Sequence, residues 1–435
     1  MATLHLDVLP NRRQTIAAIT IGNALEFFDF TVYGFLVLTI GKLFFPTFSS
    51  SGQLLLTVAS FGVGFVARPL GGILIGTYAD RAGRKKAMTL TIFLMALGCA
   101  VITFAPTYAQ IGVIAPLLIL LARLMQGFAA GGEVGASTAL LIEHGASNNR
   151  GFMGSWQYAS QCLGVLLGAI VVGALTFSLT RHDMEDWGWR VPFAVGMLIA
   201  PVGVYIRRHL KESLDVAPEA LADRRSGIAL VCTQHGKTAF AATLSAAGFT
   251  TAAYVVALYM PTYAVRELGL APTISLFGAA IFGGVSFVLS PLVGKLSDLT
   301  GRKSLILVAR VTLVVFIYPG FLWLNAEPTP TTLFIVTALL SAVVVLQTVP
   351  GMTMLPEAFP KHIRATGMSL TYGVGVALFG GFAPFIGTWL VQATGNKIAP
   401  AWYLIAITIV SLISLLWLRE QAGREIDSET DYYVG

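Results

Sequence analysis

Long apolar runs, broken by short polar stretches, dominate this chain. Apolar runs of about 20 residues or more can cross a bilayer as helices. The pattern predicts twelve: 15–40, 53–78, 86–105, 112–142, 151–179, 189–208, 238–263, 273–294, 303–324, 331–355, 365–393 and 400–418. This is the pattern of an all-α integral membrane protein. Its most polar internal segment, Arg207–Lys237, separates six spans from six. The expected organisation is an N-terminal segment (1–14), a six-helix bundle (15–208), a linker (209–237), a second six-helix bundle (238–418) and a tail (419–435).

Two of the polar breaks repeat. Gly76-Thr77-Tyr78-Ala79-Asp80-Arg81-Ala82-Gly83-Arg84-Lys85 returns 218 residues later as Gly294-Lys295-Leu296-Ser297-Asp298-Leu299-Thr300-Gly301-Arg302-Lys303. Glu143 and Arg150 likewise return, 214 residues on, as Glu357 and Arg364. Matching breaks in two apolar halves predict two pseudo-symmetric lobes, the arrangement of many secondary transporters. Asp, Gly and Arg keep their spacing in both copies, which is more than topology requires. Asp80, Arg84, Glu143, Arg150, Asp298, Arg302, Glu357 and Arg364 are therefore expected to form a gate that holds the lobes together at one face.

Charge sets the orientation. Only 11% of residues are charged, against about 25% in a soluble domain. The two ends and the loops on their side hold 20 Lys and Arg; the opposite loops hold five, namely Lys42, Arg181, Arg190, Arg266 and Lys397. That bias predicts both termini in the cytoplasm. The net charge of +6 is then a topology signal, and nucleic acid is not an expected partner. The first run carries Glu26 and Asp29, unlike a cleaved signal sequence. Cys99, Cys162 and Cys232 offer no disulfide framework. Trp187, Trp189, Trp323, Trp402 and Trp417 fall near span ends, where indole rings anchor helices at the interface.

Ionisable groups inside a membrane are costly, so each is a functional candidate. The acids are Glu26 and Asp29 on span 1 and Glu133 on span 4; the bases are Arg68, Arg123 and Arg310 on spans 2, 4 and 9. Glu26 and Asp29 share a helix face with Asn23 and Tyr33. Counted from the polar ends at about 1.5 Å per residue, Asp29 and Arg123 lie near enough in depth to meet if their helices adjoin. If cargo then takes the arginine, the acid is left to favour a proton, and the two events become linked. A static ion pair is the alternative. Arg68 and Glu133 fall at one depth, where a structural pair is expected. Arg310 is expected near the inner face, snorkelling toward lipid. With three acids and three arginines, one bound proton would leave the interior near +1, which favours an anion. Gln157, Gln161, Tyr254, Gln347 and Tyr372 add amides and phenols suited to carboxylate or hydroxyl ligands; joining helices to one another is their other reading. Gly127, Gly131, Gly132 and Gly135, with Gly62 and Gly64, predict close approach of spans 2 and 4. Gly373, Gly375, Gly380, Gly381 and Pro384 predict a bend in span 11. No nucleophile–base pair or metal cluster is visible, so no enzyme, cofactor or metal is expected.

GTYADRAGRKK and GKLSDLTGRKS resemble the repeated loop signature of the major facilitator superfamily. Within it, GNALEFFDFTVYG, GFVARPLGG, ARLMQGFAAGGEVG and DWGWRVPF resemble the metabolite:proton symporters. LPEAFPKHIRATGMSL and FGGFAPFIGTWLVQATGNKIAPAWY are most similar to the citrate and tricarballylate members. The resemblance covers nearly the whole chain. It implies a monomer of the bacterial inner membrane that imports a di- or tricarboxylate such as citrate with protons by alternating access. Asp29 and Glu26 would take the proton, Arg123 would couple it to cargo, and Asn23 and Tyr33 would line the cargo site with Arg123, Gln157, Gln161, Tyr254, Gln347 and Tyr372. Uptake of 2-oxoglutarate, shikimate, betaine or proline, or a sugar is the alternative, as is a sensor that does not transport. Arg310 and the Gly294-Lys295 start of the second loop depart from the family pattern.

Overall fold

The computed structural model describes residues 12–46, 48–82, 84–131, 133–143, 145–198, 200–201, 225–360 and 363–424, with side chains except at 12–19, 76–77, 79–82, 84–88, 136, 140, 143 and 225–226. The linker up to 224, and the side chains of Asp80, Arg84 and Glu143, lie outside this description.

Among the described residues, helices occupy all twelve predicted places and form two lobes. In the first are α1 (Arg12–Phe35, continued by Val37–Phe44), α2 (Ser50–Ala82), α3 (Arg84–Phe104), α4 (Ile114–Gly131 and Glu133–Glu143), α5 (Arg150–Ser178) and α6, which begins as Arg190–Gly196. In the second are α7 (Gly236–Tyr254, Val255–Tyr259 and Met260–Arg266), α8 (Pro272–Thr300), α9 (Arg302–Ala326), α10 (Pro330–Glu357), α11 (Arg364–Gly375, Val376–Gly380 and Ala383–Thr394) and α12 (Ala399–Ser414). Among the described residues, eight are long and apolar enough to span by length and composition; bent α1 makes nine. The described parts of α3 and α12 are shorter, and α6 runs beyond the described residues.

Breaks occur where proline or lobe contact requires them. α1 turns by 64° between Phe35 and Val37. The matching place in α7 is the π turn Val255–Tyr259, and α11 has another over Val376–Gly380. Pro261 and Pro384 each lack the N–H that would bond four residues back, to a carbonyl inside each π turn. The bend predicted for span 11 is thus a local widening of the helix.

Glycine sets the packing of α2 on α4. A Cβ at Gly127 would overlap the Gly64 carbonyl oxygen, and one at Gly131 would overlap that of Arg68. Conversely, a Cβ at Gly64 would lie 3.0 Å from the Arg123 carbonyl oxygen. Backbone therefore meets backbone, as small residues allow between membrane helices, and this register fixes the relative depth of the two arginines. Outward faces remain apolar, as with Val308, Val311 and Val315 on α9, because lipid is their solvent. Trp187, Trp323, Trp402 and Trp417 are exposed, as anchors should be. Trp189 departs from that expectation: it is buried edge-on against Phe44 and Phe193.

The lobes touch over much of their height. α5 lies along α8, α2 and α4 meet α11, and α1 meets α7. Contacts occur at both depths: Gly151 against Gly294 at one end, Gly34 against Leu258 and Gly62 against Phe382 toward the other. The central polar side chains are consequently enclosed.

Candidate functional site

Asp29 and Arg123 meet, as the depth argument requires. Arg123 Nη1 lies 3.6 Å from Asp29 Oδ2, and both side chains are buried. Gln126, one turn along α4 from Arg123, accepts from Arg123 Nη1 at 2.8 Å and donates to Asp29 Oδ2 at 2.6 Å. Cys99 on α3 donates to Asp29 Oδ1 at 3.2 Å. The Arg123 guanidinium carbon lies 4.5 Å from the Tyr33 ring centre and 4.8 Å from that of Phe30. Gln126 and Cys99 were absent from the sequence candidates. Spacing could have found Gln126, since i and i+3 share a helix face; nothing in the sequence pointed to Cys99.

Arg68 contradicts its expected role. None of its guanidinium nitrogens finds a hydrogen-bond partner among the described residues, and no acid lies within ion-pair distance. Its side chain is buried against aromatic rings instead, 4.2 Å from the Phe65 centre and 4.5 Å from that of Phe30. The expected Arg68–Glu133 pair is therefore not formed. Glu133 Oε1 instead lies against Gly22 of α1, 3.6 Å from where a Cβ would sit, one turn before Glu26. Helix rotation explains this, because equal depth does not make two side chains face each other.

Glu26 and Asp29 diverge although they are three residues apart. Asp29 points into the first lobe, toward α3, α4 and α6; the charged neighbours of Glu26 are Glu133, Arg68 and Asp29. Both Glu26 oxygens are buried without a hydrogen-bond partner. Tyr254, edge-on to the Phe65 ring at 5.3 Å, and Tyr372, both from the second lobe, lie in the electrostatic field of Arg68 and Glu26. A buried polar group without a partner is rare enough to require a reason. Tyr254 Oη, Gln157 Nε2, Gln161 Nε2 and both polar atoms of Gln347 are likewise buried without a partner among the described residues. Asn23 and Tyr33 are used otherwise. The Asn23 amide donates to the Gln157 carbonyl and Ser160 Oγ, tying α1 to α5, and Tyr33 Oη bonds Ser60 Oγ on α2.

Arg310 overturns the snorkelling expectation. It is fully buried inside the second lobe and donates to the Ser411 carbonyl on α12 and to the Ser245 carbonyl and hydroxyl on α7. Its charge does not belong to the central group, which leaves three acids against two arginines there. The balance argued from three of each fails accordingly.

The residues expected to form a gate are brought together where their side chains are described. Asp298 Oδ1 accepts from Gly151 N at 2.8 Å and Oδ2 from Phe152 N at 2.9 Å, so an acid of the second lobe caps α5 of the first. Arg302 lies 2.9 Å from Asp298 and 3.3 Å from Glu357, and Arg150 lies 3.4 Å from Glu357. Arg150 also donates to the carbonyls of Gln421 and Arg424 beyond α12. Arg364 begins α11 and is buried.

The comparisons with known proteins agree with this architecture. The family model for the Major Facilitator Superfamily matches residues 19–325 and again 240–431. The chain is 35% identical to a citrate-proton symporter of Salmonella typhi over 94% of both chains. It is 33% identical to a proline/betaine transporter of Escherichia coli (strain K12), over 96% of this chain and 85% of that one. A crystal structure of a D-xylose-proton symporter superposes with a TM-score of 0.76 at 18% identity, covering 95% of this chain and all of the other.

Proposed function

The chain belongs to the Major Facilitator Superfamily, and we propose that it is a bacterial inner-membrane symporter that takes up a di- or tricarboxylate, such as citrate, together with protons. Both termini and the Asp298 gate would face the cytoplasm, as the distribution of Lys and Arg requires. The observation that carries the reading is Arg68: a buried guanidinium whose three nitrogens find no hydrogen-bond partner among the described residues, packed on Phe65 and Phe30 with Glu26 near but not bonded to it. A charge buried without its partner is costly, and a cargo carboxylate would supply that partner bidentately. Arg68 is thus the cargo anchor, and Gln157, Gln161, Tyr254, Gln347 and Tyr372 complete the lining. Arg123, held by Gln126 and Asp29, serves the proton.

The charge count suits this division. Three acids against two arginines would repel an anion. Protons on Asp29 and on the Glu26–Glu133 group would reverse the sign, so cargo and protons favour one another's binding. Alternating access follows if gate contacts hold the lobes together on one side while the opposite side opens. Relatives that carry proline and betaine make a zwitterion the second reading, and the excess of acids around Arg68 is the feature that favours it.

The test is citrate uptake by the purified protein in proteoliposomes. Wild-type protein should accumulate citrate when the outside is more acidic. Asp29→Asn should lose accumulation by at least tenfold and keep citrate exchange. Undiminished accumulation by D29N would refute the assignment, and betaine competing better than citrate would select the second reading.

A further inference from the structure

Gln126 is fully buried and stands between the two charges that the proton mechanism uses. The direct Arg123–Asp29 separation is 3.6 Å, longer than a charge-assisted hydrogen bond of about 2.7–2.9 Å. The glutamine contacts are 2.8 and 2.6 Å. The amide orientation is dictated by chemistry: a guanidinium only donates and an ionised carboxylate only accepts, so Oε1 must face Arg123 and Nε2 must face Asp29. The fold also makes room for it. A Cβ at Gly98 on α3 would come 2.5 Å from Gln126 Cγ, and one at Gly196 on α6 would come 3.3 Å from Asp29 Oδ1.

We propose that Gln126 is a positioning residue that transmits the protonation state of Asp29 to Arg123, so that proton and cargo are linked through this amide rather than through a direct ion pair. The inference rests on the symport reading above. With Asp29 ionised, both ends of the amide are charge-assisted and Arg123 is held. With a proton on Oδ2 directed at the amide, a hydroxyl donor meets an N–H donor. Turning the amide over relieves that conflict but presents its NH2 group to Arg123, which also only donates. In the first orientation the Asp29 end breaks and in the second the Arg123 end does, so the proton loosens the hold on Arg123. A proton on Oδ1 instead requires Cys99 to accept and leaves Oδ2 a neutral, weaker acceptor. Asp29 is faced by Cys99 from α3, by Arg123 and Gln126 from α4 and by uncharged Gly196 from α6, with Glu26 one turn before it on α1. Tyr33 and Arg68 act on Arg123.

The experiment compares full-length wild type, Gln126→Leu, Asp29→Asn and the double variant in proteoliposomes, with citrate as probe. Two readouts are taken: accumulation driven by a pH gradient, and exchange at equal pH. Q126L should lose accumulation by at least tenfold, the scale of one hydrogen bond to a charged group, while exchange stays within about threefold. Adding Q126L to D29N should change neither readout more than about twofold, because Gln126 acts through Asp29. Gly98→Ala, which pushes the amide without altering its polarity, should give the same split at smaller amplitude. Wild-type-like accumulation by Q126L, or a further drop in the double variant, overturns the proposal. So does parallel loss of both readouts in Q126L and G98A, since the amide would then only hold helices together. Failure of the wild type itself to accumulate citrate would instead sink the symport reading.

Discussion

Asp298→Asn should open the gate while leaving the cargo site intact. The carboxylate accepts from two backbone N–H groups of α5 and lies 2.9 Å from Arg302. Its side chain is only 5% exposed, so water offers little replacement. An amide can accept one of those bonds, but its NH2 group would face the other N–H as donor against donor. Leaving one buried N–H unsatisfied costs about 1–3 kcal/mol, and losing a negative charge at a helix N-terminus adds about 0.3–1 kcal/mol. The contact joins the lobes, so a net loss of about 2–3 kcal/mol falls on the closed state and raises the open population about 30- to 150-fold. The assay uses Ser155→Cys, a buried position against Gly294, in a Cys232→Ser background, the other two cysteines being buried. Modification by a charged maleimide should accelerate by that factor in D298N until opening itself limits the rate. Less than a threefold change would refute the view that Asp298 holds this gate shut.

Two further outcomes probe the frame. Gly127→Ala should lower the unfolding temperature in detergent, because overpacking costs about 1–3 kcal/mol and its Cβ would overlap the Gly64 carbonyl. Gly284→Ala, with open space around it, is the control, and equal melting of the two would discount the α2–α4 contact. Arg310→Met should cost about 2–4 kcal/mol by orphaning acceptors on α7 and α12, measured as a lower unfolding temperature with citrate affinity unchanged. A matching loss of affinity would instead place Arg310 in the cargo path.

Several features were legible in the sequence because they are local or repeated. Apolar runs of spanning length must be helices in lipid, since no other single segment satisfies its own backbone. The duplicated Asp-Gly-Arg and Glu–Arg patterns pointed to two lobes, and Asp298, Arg302, Glu357 and Arg150, expected as part of a gate, do cluster. Depth counting brought Asp29 to Arg123 because helical rise is constant. Depth is only one coordinate, however. The rotation of each helix about its axis and the choice of neighbours come from packing, here from the glycines that bring α2 against α4. Those decided that Arg68 faces aromatic rings rather than Glu133, that Glu26 and Asp29 part company, and that Arg310 sits in the core of the second lobe. They also decided that an unremarked glutamine fills the gap between Asp29 and Arg123. Sequence thus determined which charges enter the membrane and how deep they lie; tertiary packing alone decided which are answered by a partner and which are not, because partnership depends on direction as well as depth.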